Sequence, residues 1–197
     1  MRIAVIGAAG LVGTEVVAEA TRRGHDVTAY TRNGAAGTTA LDVANTAGVV
    51  DAINDHDVTV ISVASRDNYP AVVDAHKALI NAAPTGRFIV VGGAGALEVN
   101  GTRLYELPDF PAEYLTEAKT FGAVLDAYRD HAAALQWSIA APSPELAPGV
   151  RTGHYVTELN SPAGDYVSTQ DFAVAIVDEA ETNAHPGQRF TVASERA

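Results

Sequence analysis

The sequence contains no cysteine, and only two of its residues are lysine, Lys77 and Lys119. The absence of cysteine excludes disulfides, thiolate metal ligands and a cysteine nucleophile. The 13 Lys and Arg residues are scattered and are outnumbered by 24 Asp and Glu residues, which gives a formal net charge of −11. Because such a surface repels phosphate backbones and anionic lipids, we expect neither nucleic acid nor a membrane as a partner.

Long apolar segments are also missing. No apolar run approaches the roughly 20 residues that span a bilayer, and residues 1–6 lack a basic segment followed by a long apolar one. These two absences predict a cytoplasmic protein. The length of 197 residues favours a single domain over residues 1–197.

What the sequence does contain is an alternation of short β-branched runs with longer alanine-rich stretches. This alternation is typical of an α/β protein with a parallel sheet and crossover helices. It predicts strands over residues 2–6, 26–30, 38–41, 58–62, 87–91, 136–140 and 189–192, and helices over residues 11–23, 46–54, 70–82, 112–134 and 172–180. Proline and glycine are frequent after residue 141, so residues 142–197 are expected to form a small substrate-side cap on the same domain.

Three glycines, Gly7, Gly10 and Gly13, separate the first predicted strand from the first predicted helix. Gly7 permits a tight turn, Gly10 lets the backbone approach a diphosphate, and Gly13 allows the helix to pack closely on the sheet. Free N–H groups and the helix dipole at this point favour phosphate groups. The pattern predicts a Rossmann-type doubly wound parallel sheet that binds a nicotinamide dinucleotide. The alternative is a glycine-rich turn without a ligand.

The end of the second predicted strand bears on the choice of cofactor. NAD-specific sites place a carboxylate there, but Asp26 lies at the start of the strand and its end reads Thr31-Arg32-Asn33. Arg32 can pair with a 2′-phosphate, and Thr31 and Asn33 can add hydrogen bonds. We therefore expect NADPH rather than NADH, the alternative being that Arg32 is a surface residue in a turn.

The remaining cofactor contacts are expected at the carboxyl ends of the strands, where ligands of such sheets bind. Ordinary strand-end turns are the alternative explanation for these positions, and close backbone approach favours the two glycines at 92 and 93. The full predicted cofactor set is Gly7, Ala9, Gly10, Leu11, Val12, Gly13, Thr31, Arg32, Asn33, Asp42, Val43, Ser62, Val63, Ala64, Gly92, Gly93 and Pro142.

Six short segments carry a family resemblance: Ile-Gly-Ala-Ala-Gly at 6–10, Arg-Gly-His-Asp-Val at 23–27, Thr-Arg-Asn at 31–33, Val-Val-Gly-Gly-Ala-Gly-Ala-Leu at 90–97, Trp-Ser-Ile at 137–139 and Pro-Gly-Val-Arg-Thr-Gly at 148–153. With them the chain resembles the atypical short-chain dehydrogenase/reductases called NAD(P)H-binding or NADH-flavin-reductase-like proteins. That group is similar to biliverdin-IXβ/flavin reductase and to NmrA-like proteins. The resemblance implies a Rossmann core, NADPH, and reduction of flavins, quinones or related conjugated acceptors. Ala96 departs from it, because related sequences often carry a serine there.

A proton donor is hard to identify. The Tyr-x-x-x-Lys pair that is usual in the superfamily is absent, and the nearest pair, Tyr114 and Lys119, would point to different helix faces. Tyr114 is expected in the core. Lys119 is the candidate catalytic residue, either reaching the nicotinamide ribose or lying as a surface lysine. Asp51, Asp55, His56 and Asp57 favour a solvated turn, so we expect no metal site.

The acceptor is expected between the nicotinamide and the cap, with Ser143, Arg151 and Tyr155 as candidate substrate contacts and loop packing as the alternative for each. Without a placed acid, hydride transfer to a flavin, quinone or similar conjugated acceptor is easier to support than carbonyl reduction. The function predicted is an NADPH-dependent oxidoreductase. The alternatives are an NmrA-like redox sensor without turnover and a non-redox isomerase or cyclase. A homodimer is considered as the assembly.

Overall fold

The computed structural model describes residues 1–34, 37–64 and 68–196. Strands β1 to β12 of this part span Arg2–Ile6, Asp26–Thr31, Thr39–Ala40, Val58–Ile61, Arg87–Val91, Glu98–Val99, Thr102–Arg103, Gln136–Pro142, Glu145–Ala147, Val156–Glu158, Tyr166–Ser168 and Arg189–Ala193. Helices α1 to α5 span Leu11–Arg22, Thr46–Asp55, Tyr69–Ala82, Leu115–His131 and Thr169–Thr182. Short 3-10 turns lie at Ala94–Ala96, Leu104–Glu106 and Ala112–Tyr114.

Eight strands form the main sheet in the order β10-β12-β8-β5-β4-β1-β2-β3. The pairings are parallel except at the edge, where β10 runs antiparallel to β12. The chain moves outward from β1 to β2 and β3, then crosses back to place β4 on the other side of β1. The strand order therefore reverses between β1 and β4, and ligands of open parallel sheets bind at the carboxyl ends of the strands at such a point.

Helices cover both faces of the sheet, so the Rossmann-type α/β fold predicted from the sequence is confirmed. One apolar cluster packs α1 and α5 on one face, and the other packs α2, α3 and α4 on the opposite face. Strand β5 shows why its sequence is continuously apolar: Phe88 and Val90 belong to one cluster and Ile89 to the other. No helix among the described residues combines the length and apolarity that crossing a membrane requires.

Residues from 142 onward are built into this sheet. Strands β10 and β12 extend it, α5 packs against α1, and β9 pairs with β11 in a separate two-stranded sheet. Ser168 caps α5, and its side chain accepts a hydrogen bond from the Asp171 N–H.

Several predicted boundaries shift. Helix α2 extends one residue beyond its predicted end, to Asp55, and is capped by the Asn45 side chain, which accepts from the Gly48 N–H. The predicted helix over 112–134 is shorter, because residues 112–114 form a 3-10 turn and α4 ends at His131. Tyr114 consequently lies outside the regular helix and is 59% exposed, so its assignment to the core was wrong.

Candidate functional site

The turn after β1 is held by backbone hydrogen bonds to the neighbouring strand. The N–H groups of Gly7 and Ala8 both donate to the Tyr30 carbonyl at 3.0 Å, and the Gly10 N–H donates back to the Gly7 carbonyl at 3.0 Å. Gly10 is the N-cap residue of α1, with extended backbone angles. These bonds fix the start of α1 at the carboxyl end of β1, where the strand order reverses.

Two of the three glycines are required by close backbone approach. Gly7 has φ +89°, and a Cβ there would lie 2.1 Å from the Ser62 carbonyl oxygen at the end of β4. A Cβ at Gly13 would lie 2.1 Å from the Gly7 carbonyl oxygen, so only glycine lets α1 sit this close to the turn. Gly10 differs, because a Cβ there would meet the Gly7 oxygen at 3.2 Å and the Ser62 oxygen at 3.9 Å, with no closer neighbour.

The first turn of α1 presents free donors. Among the hydrogen bonds of the described residues, the N–H groups of Leu11, Val12 and Gly13 have no acceptor, whereas the Thr14 N–H donates to the Gly10 carbonyl. Ala9 and Leu11 are exposed, and no acidic residue occupies this turn. Three unpaired N–H groups at the positive end of a helix dipole form an anion site. The small residues and the free donors fit the diphosphate of a dinucleotide.

At the end of β2, Thr31 is buried and its hydroxyl contacts the Thr38 hydroxyl at 2.8 Å. Arg32 and Asn33 follow and are exposed. Asp26 lies at the opposite end of the strand, paired in register with Arg2. Five residues of extended chain separate Asp26 from Thr31, about 16 Å, so this carboxylate does not reach the carboxyl end of the sheet.

Other predicted contacts also lie at strand ends. Asp42 follows β3 and its carboxylate accepts the Ala44 N–H at 2.9 Å, while Val43 packs on the core. The Ser62 N–H donates to the Ile6 carbonyl at 2.8 Å, and the half-buried Val63 and Ala64 follow it. The structure therefore places the ends of β1, β2, β3 and β4 along one edge.

The loop after β5, residues 92–97, forms the next part of this edge. The Gly92 N–H donates to the Ala140 carbonyl at 2.8 Å, and a Cβ at Gly93 would lie 3.0 Å from the Phe121 ring of α4. A Cβ at Gly95 would lie 2.3 Å from the Ala118 Cβ. The loop thus lies directly on α4. Pro142 is buried at the end of β8, paired in register with Val192.

Lys119 follows Ala118 on α4 and is exposed. In the part of the chain that the structure describes, its ammonium group makes no hydrogen bond or ion pair. Helix α4 itself borders the loop at residues 92–97, through Ala118 and Phe121. A catalytic role for Lys119 stays a prediction.

The three predicted substrate residues each contact other groups of the protein, and we no longer assign them to the acceptor. Ser143 is 0% exposed, and its hydroxyl donates to the Val192 carbonyl at 2.8 Å. Arg151 pairs with Glu19 on α1, with Nε 2.8 Å from the carboxylate. The Tyr155 hydroxyl donates to Asp178 on α5 at 2.6 Å. Burial and the Asp178 carboxylate raise the pKa of Tyr155, which keeps this phenol protonated.

Glu19 and Arg189 are among the buried charged residues that the sequence analysis missed. Glu19 is 3% exposed and accepts from Arg22, Arg23 and Arg151. Arg189 is 3% exposed and donates to the Ala96 carbonyl at 2.7 Å. Glu19 lies on the same helical stripe as Val12 and Val16, which was a usable signal. Arg189 begins a strand, where a charged residue is ordinarily exposed, so its burial had no signal in the sequence.

The tight glycine turn, the free donors of α1 and the position where strand order reverses define the class: this is a dinucleotide-binding Rossmann protein. A sequence profile of the NAD(P)H-binding family matches residues 7–183. The chain belongs to that family, and its cofactor is a nicotinamide dinucleotide.

Similar proteins cover the whole chain. YwnB of Bacillus subtilis (strain 168) is 36% identical over an alignment of 221 positions, which covers 99% of each sequence. The structure of a putative exported protein from Burkholderia pseudomallei has a TM-score of 0.88 and 33% identity over 98% of this chain and 100% of that one. The structure of SP1627 from Streptococcus pneumoniae TIGR4, a putative NADH-flavin reductase, has a TM-score of 0.89 and 29% identity over 99% of this chain and 100% of that one.

Proposed function

We propose that this protein is an NADPH-dependent oxidoreductase that reduces a flavin, a quinone or a similar conjugated small molecule. The observation that carries the proposal is the set of three N–H groups at Leu11, Val12 and Gly13 that have no acceptor among the described residues, next to a turn that only glycine can form. The name of the Streptococcus pneumoniae relative, a putative NADH-flavin reductase, supports the acceptor class.

The preference for NADPH depends on the end of β2. A ribose 2′-phosphate carries about two negative charges and needs a cation, whereas the 2′-hydroxyl of NADH needs an acceptor. Arg32 is the exposed cation at this strand end, and the nearest carboxylate on β2, Asp26, is at the far end of the strand. Thr31 and Asn33 flank Arg32 with neutral groups. We therefore assign Arg32 to the 2′-phosphate.

The residues that border the proposed nicotinamide position support a conjugated acceptor. When bound, the reduced cofactor supplies a hydride. The loop at residues 92–97 and the end of β4 shape this edge with small groups, and Tyr114 points to solvent rather than toward Lys119 on a shared face. A conjugated acceptor spreads the incoming negative charge over its own ring system and takes its proton from solvent. It therefore needs no tyrosine acid from the protein.

Cofactor choice is tested by titrating the purified protein with NADPH and with NADH and following nicotinamide fluorescence. Loss of a charge-assisted contact costs about 1.5–3 kcal/mol, so Arg32→Ala is expected to weaken NADPH binding by tenfold or more. NADH binding should change less than threefold. The control variant is Arg196→Ala, which removes another exposed arginine and should leave both dissociation constants unchanged. Equal weakening of NADPH and NADH by Arg32→Ala would overturn the assignment.

Turnover is tested by following NADPH oxidation with FMN, FAD and a panel of quinones. The proposal expects steady-state oxidation with at least one of these acceptors. Saturable NADPH binding without turnover on any of them would instead favour a redox sensor that binds the dinucleotide only. Absence of NADPH binding would contradict both the reductase and the redox-sensor function.

A further inference from the structure

Arg189 is the buried cation that links the loop at residues 92–97 to the segment at residues 158–161. One terminal nitrogen donates to the Ala96 carbonyl at 2.7 Å, and the other donates to the Asn160 carbonyl at 3.1 Å. These two carbonyls belong to segments that are more than 60 residues apart in the chain. Strand β12 carries Arg189 at the level of Ile139 and Val90, toward the carboxyl end of β5.

Further contacts join the same two segments. The Glu98 N–H donates to the Asn160 carbonyl at 2.9 Å, and the Glu98 carboxylate lies 3.5 Å from Arg129 and 3.6 Å from Arg189. Arg129 of α4 also donates to the Asn160 side chain at 2.6 Å. The loop after β5, the chain after β10 and helix α4 therefore meet around one guanidinium group.

The guanidinium is held in this place at some cost. Its Nε–H is buried and has no acceptor among the described residues. Burial lowers the pKa of Arg189 to about 10, so the group is still charged at neutral pH. A buried cation with an unsatisfied donor is rarely the most stable choice, because an apolar side chain of similar volume avoids both penalties. Its two carbonyl contacts indicate what the residue provides: a fixed distance between two loops.

We infer that Arg189 is a positioning residue, which fixes the loop at residues 92–97 against the segment at residues 158–161 and thereby shapes the nicotinamide and acceptor side of the site. The part that concerns catalysis rests on the proposed reductase function. Arg189 itself touches no reacting atom. It acts through the Ala96 carbonyl, four residues after Gly92.

The structure offers a matched control in Arg87. This half-buried arginine also donates to two carbonyls, those of Glu179 and Ala180, but it begins β5 and so lies at the amino-end edge of the sheet. Arg87→Met and Arg189→Met remove the same charge and the same number of carbonyl contacts. They differ in which edge of the sheet loses these contacts, and Arg189 is in addition more deeply buried and lies 3.6 Å from the Glu98 carboxylate.

The first measurement is amide hydrogen exchange of the protein without cofactor. Arg189→Met is expected to accelerate exchange at least tenfold in peptides covering residues 92–98 and 158–161, and to leave residues 7–13 unchanged. Arg87→Met should accelerate exchange near residues 179–183 and leave residues 92–98 unchanged. Unchanged exchange at 92–98 in Arg189→Met, or equal acceleration there in Arg87→Met, would overturn the inference.

The second measurement separates binding from turnover. Arg189→Met should change the NADPH dissociation constant less than threefold, because the diphosphate contacts at residues 11–13 are distant, while kcat with the best acceptor falls about tenfold. A merely structural role would instead lower the active fraction of the protein and leave kcat per bound cofactor unchanged. If the wild-type protein turns over no acceptor, the proposed function fails, and hydrogen exchange still decides the role of Arg189.

We expect Arg189→Met to fold, because other contacts between the two segments remain. In Arg189→Met, Glu98 retains its ion pair with Arg129, and the Asn160 carbonyl retains the hydrogen bond from the Glu98 N–H. The Ala96 carbonyl is the group that loses its donor. Arg189→Lys is the second variant, since it retains the charge but cannot span two carbonyls with a planar fork. It should accelerate exchange at residues 92–98 less than Arg189→Met does, and at least threefold over wild type. Wild-type exchange in Arg189→Lys would contradict a role for the paired contacts.

Discussion

The three glycines of the first turn have different physical requirements, although the sequence presents them as one pattern. Gly13 is needed by the protein itself, because a Cβ there would overlap the Gly7 carbonyl oxygen at 2.1 Å. A Cβ at Gly10 would lie 3.2 Å from the Gly7 carbonyl oxygen, a close contact that a shift of a few tenths of an ångström would relieve. The fold therefore tolerates a side chain at Gly10 better than at Gly13, and we propose that glycine at position 10 serves the approach of the diphosphate.

This difference predicts opposite behaviour for two alanine variants. Gly13→Ala should lower the free energy of unfolding by about 2 kcal/mol or more, since overpacking against backbone has no easy relief. Gly10→Ala should change it by less than about 1 kcal/mol and weaken NADPH binding at least tenfold. Urea unfolding followed by the fluorescence of buried Trp137, together with NADPH titration, measures both. The control is Thr21→Ala, an exposed position later in α1. Unimpaired NADPH binding by Gly10→Ala would contradict the assignment of the turn.

At the scale of elements, the two ends of α1 differ. Its first turn has N–H groups without an acceptor among the described residues, whereas its last turns are fixed by ion pairs. Glu19 accepts hydrogen bonds from Arg22 and Arg23 on its own side and from Arg151 across the interface. Arg23 continues the network to Asp178 of α5 at 2.6 Å. Burial by itself would raise the pKa of Glu19, but the hydrogen bonds from Arg151, Arg22 and Arg23 lower it to about 2.

The lowered pKa predicts how stability depends on pH. A carboxylate whose pKa is lower in the folded than in the unfolded state stabilises the fold above the unfolded value of 4.5. That contribution, about 3 kcal/mol, is lost as pH falls from about 4.5 toward 2. Glu19→Gln should therefore be less stable than wild type at pH 7 by about 2–3 kcal/mol, and the difference should shrink across this window.

Urea unfolding at a series of pH values measures the effect of Glu19→Gln. The matched control is Glu15→Gln on the same helix, whose carboxylate accepts from Gln170 at 3.0 Å and whose amide oxygen can do the same. It should stay within about 0.5 kcal/mol of wild type. Parallel stability curves for wild type and Glu19→Gln between pH 5 and about pH 2 would contradict the network's contribution.

On the scale of the whole molecule, a ligand that binds only the folded chain stabilises the whole fold, so cofactor binding is linked to global stability. A ligand at 100 times its dissociation constant stabilises the folded state by about 2.7 kcal/mol. For a domain of this size each kcal/mol raises Tm by about 2–4 °C. Saturating NADPH is thus expected to raise Tm by about 5–10 °C, and NADH at the same concentration by less. Thermal melts of wild type and Arg32→Ala with each cofactor measure these Tm shifts. In Arg32→Ala the shift with NADPH should no longer exceed the shift with NADH. Equal shifts for both cofactors would contradict the selectivity of the β2 end.

The fold was predictable to a large extent because its signals are local. Continuous apolar runs and the glycine turn each depend on a few neighbouring residues, and the structure has the corresponding strands and turn. Boundaries were less predictable. Tyr114 fits an apolar helical stripe in sequence, yet the 3-10 turn at residues 112–114 rotates it out to solvent.

By itself the sequence determined that a parallel sheet would end its first strand in a turn only glycine can form, since backbone conformation and steric size are properties of each residue. Only the tertiary structure decided the partners of the charged and polar side chains. Arg151 and Tyr155 are held by Glu19 and Asp178 rather than facing a ligand, and Arg189 is buried between two distant carbonyls. Such pairings depend on the distance between elements far apart in the chain, which no local pattern encodes.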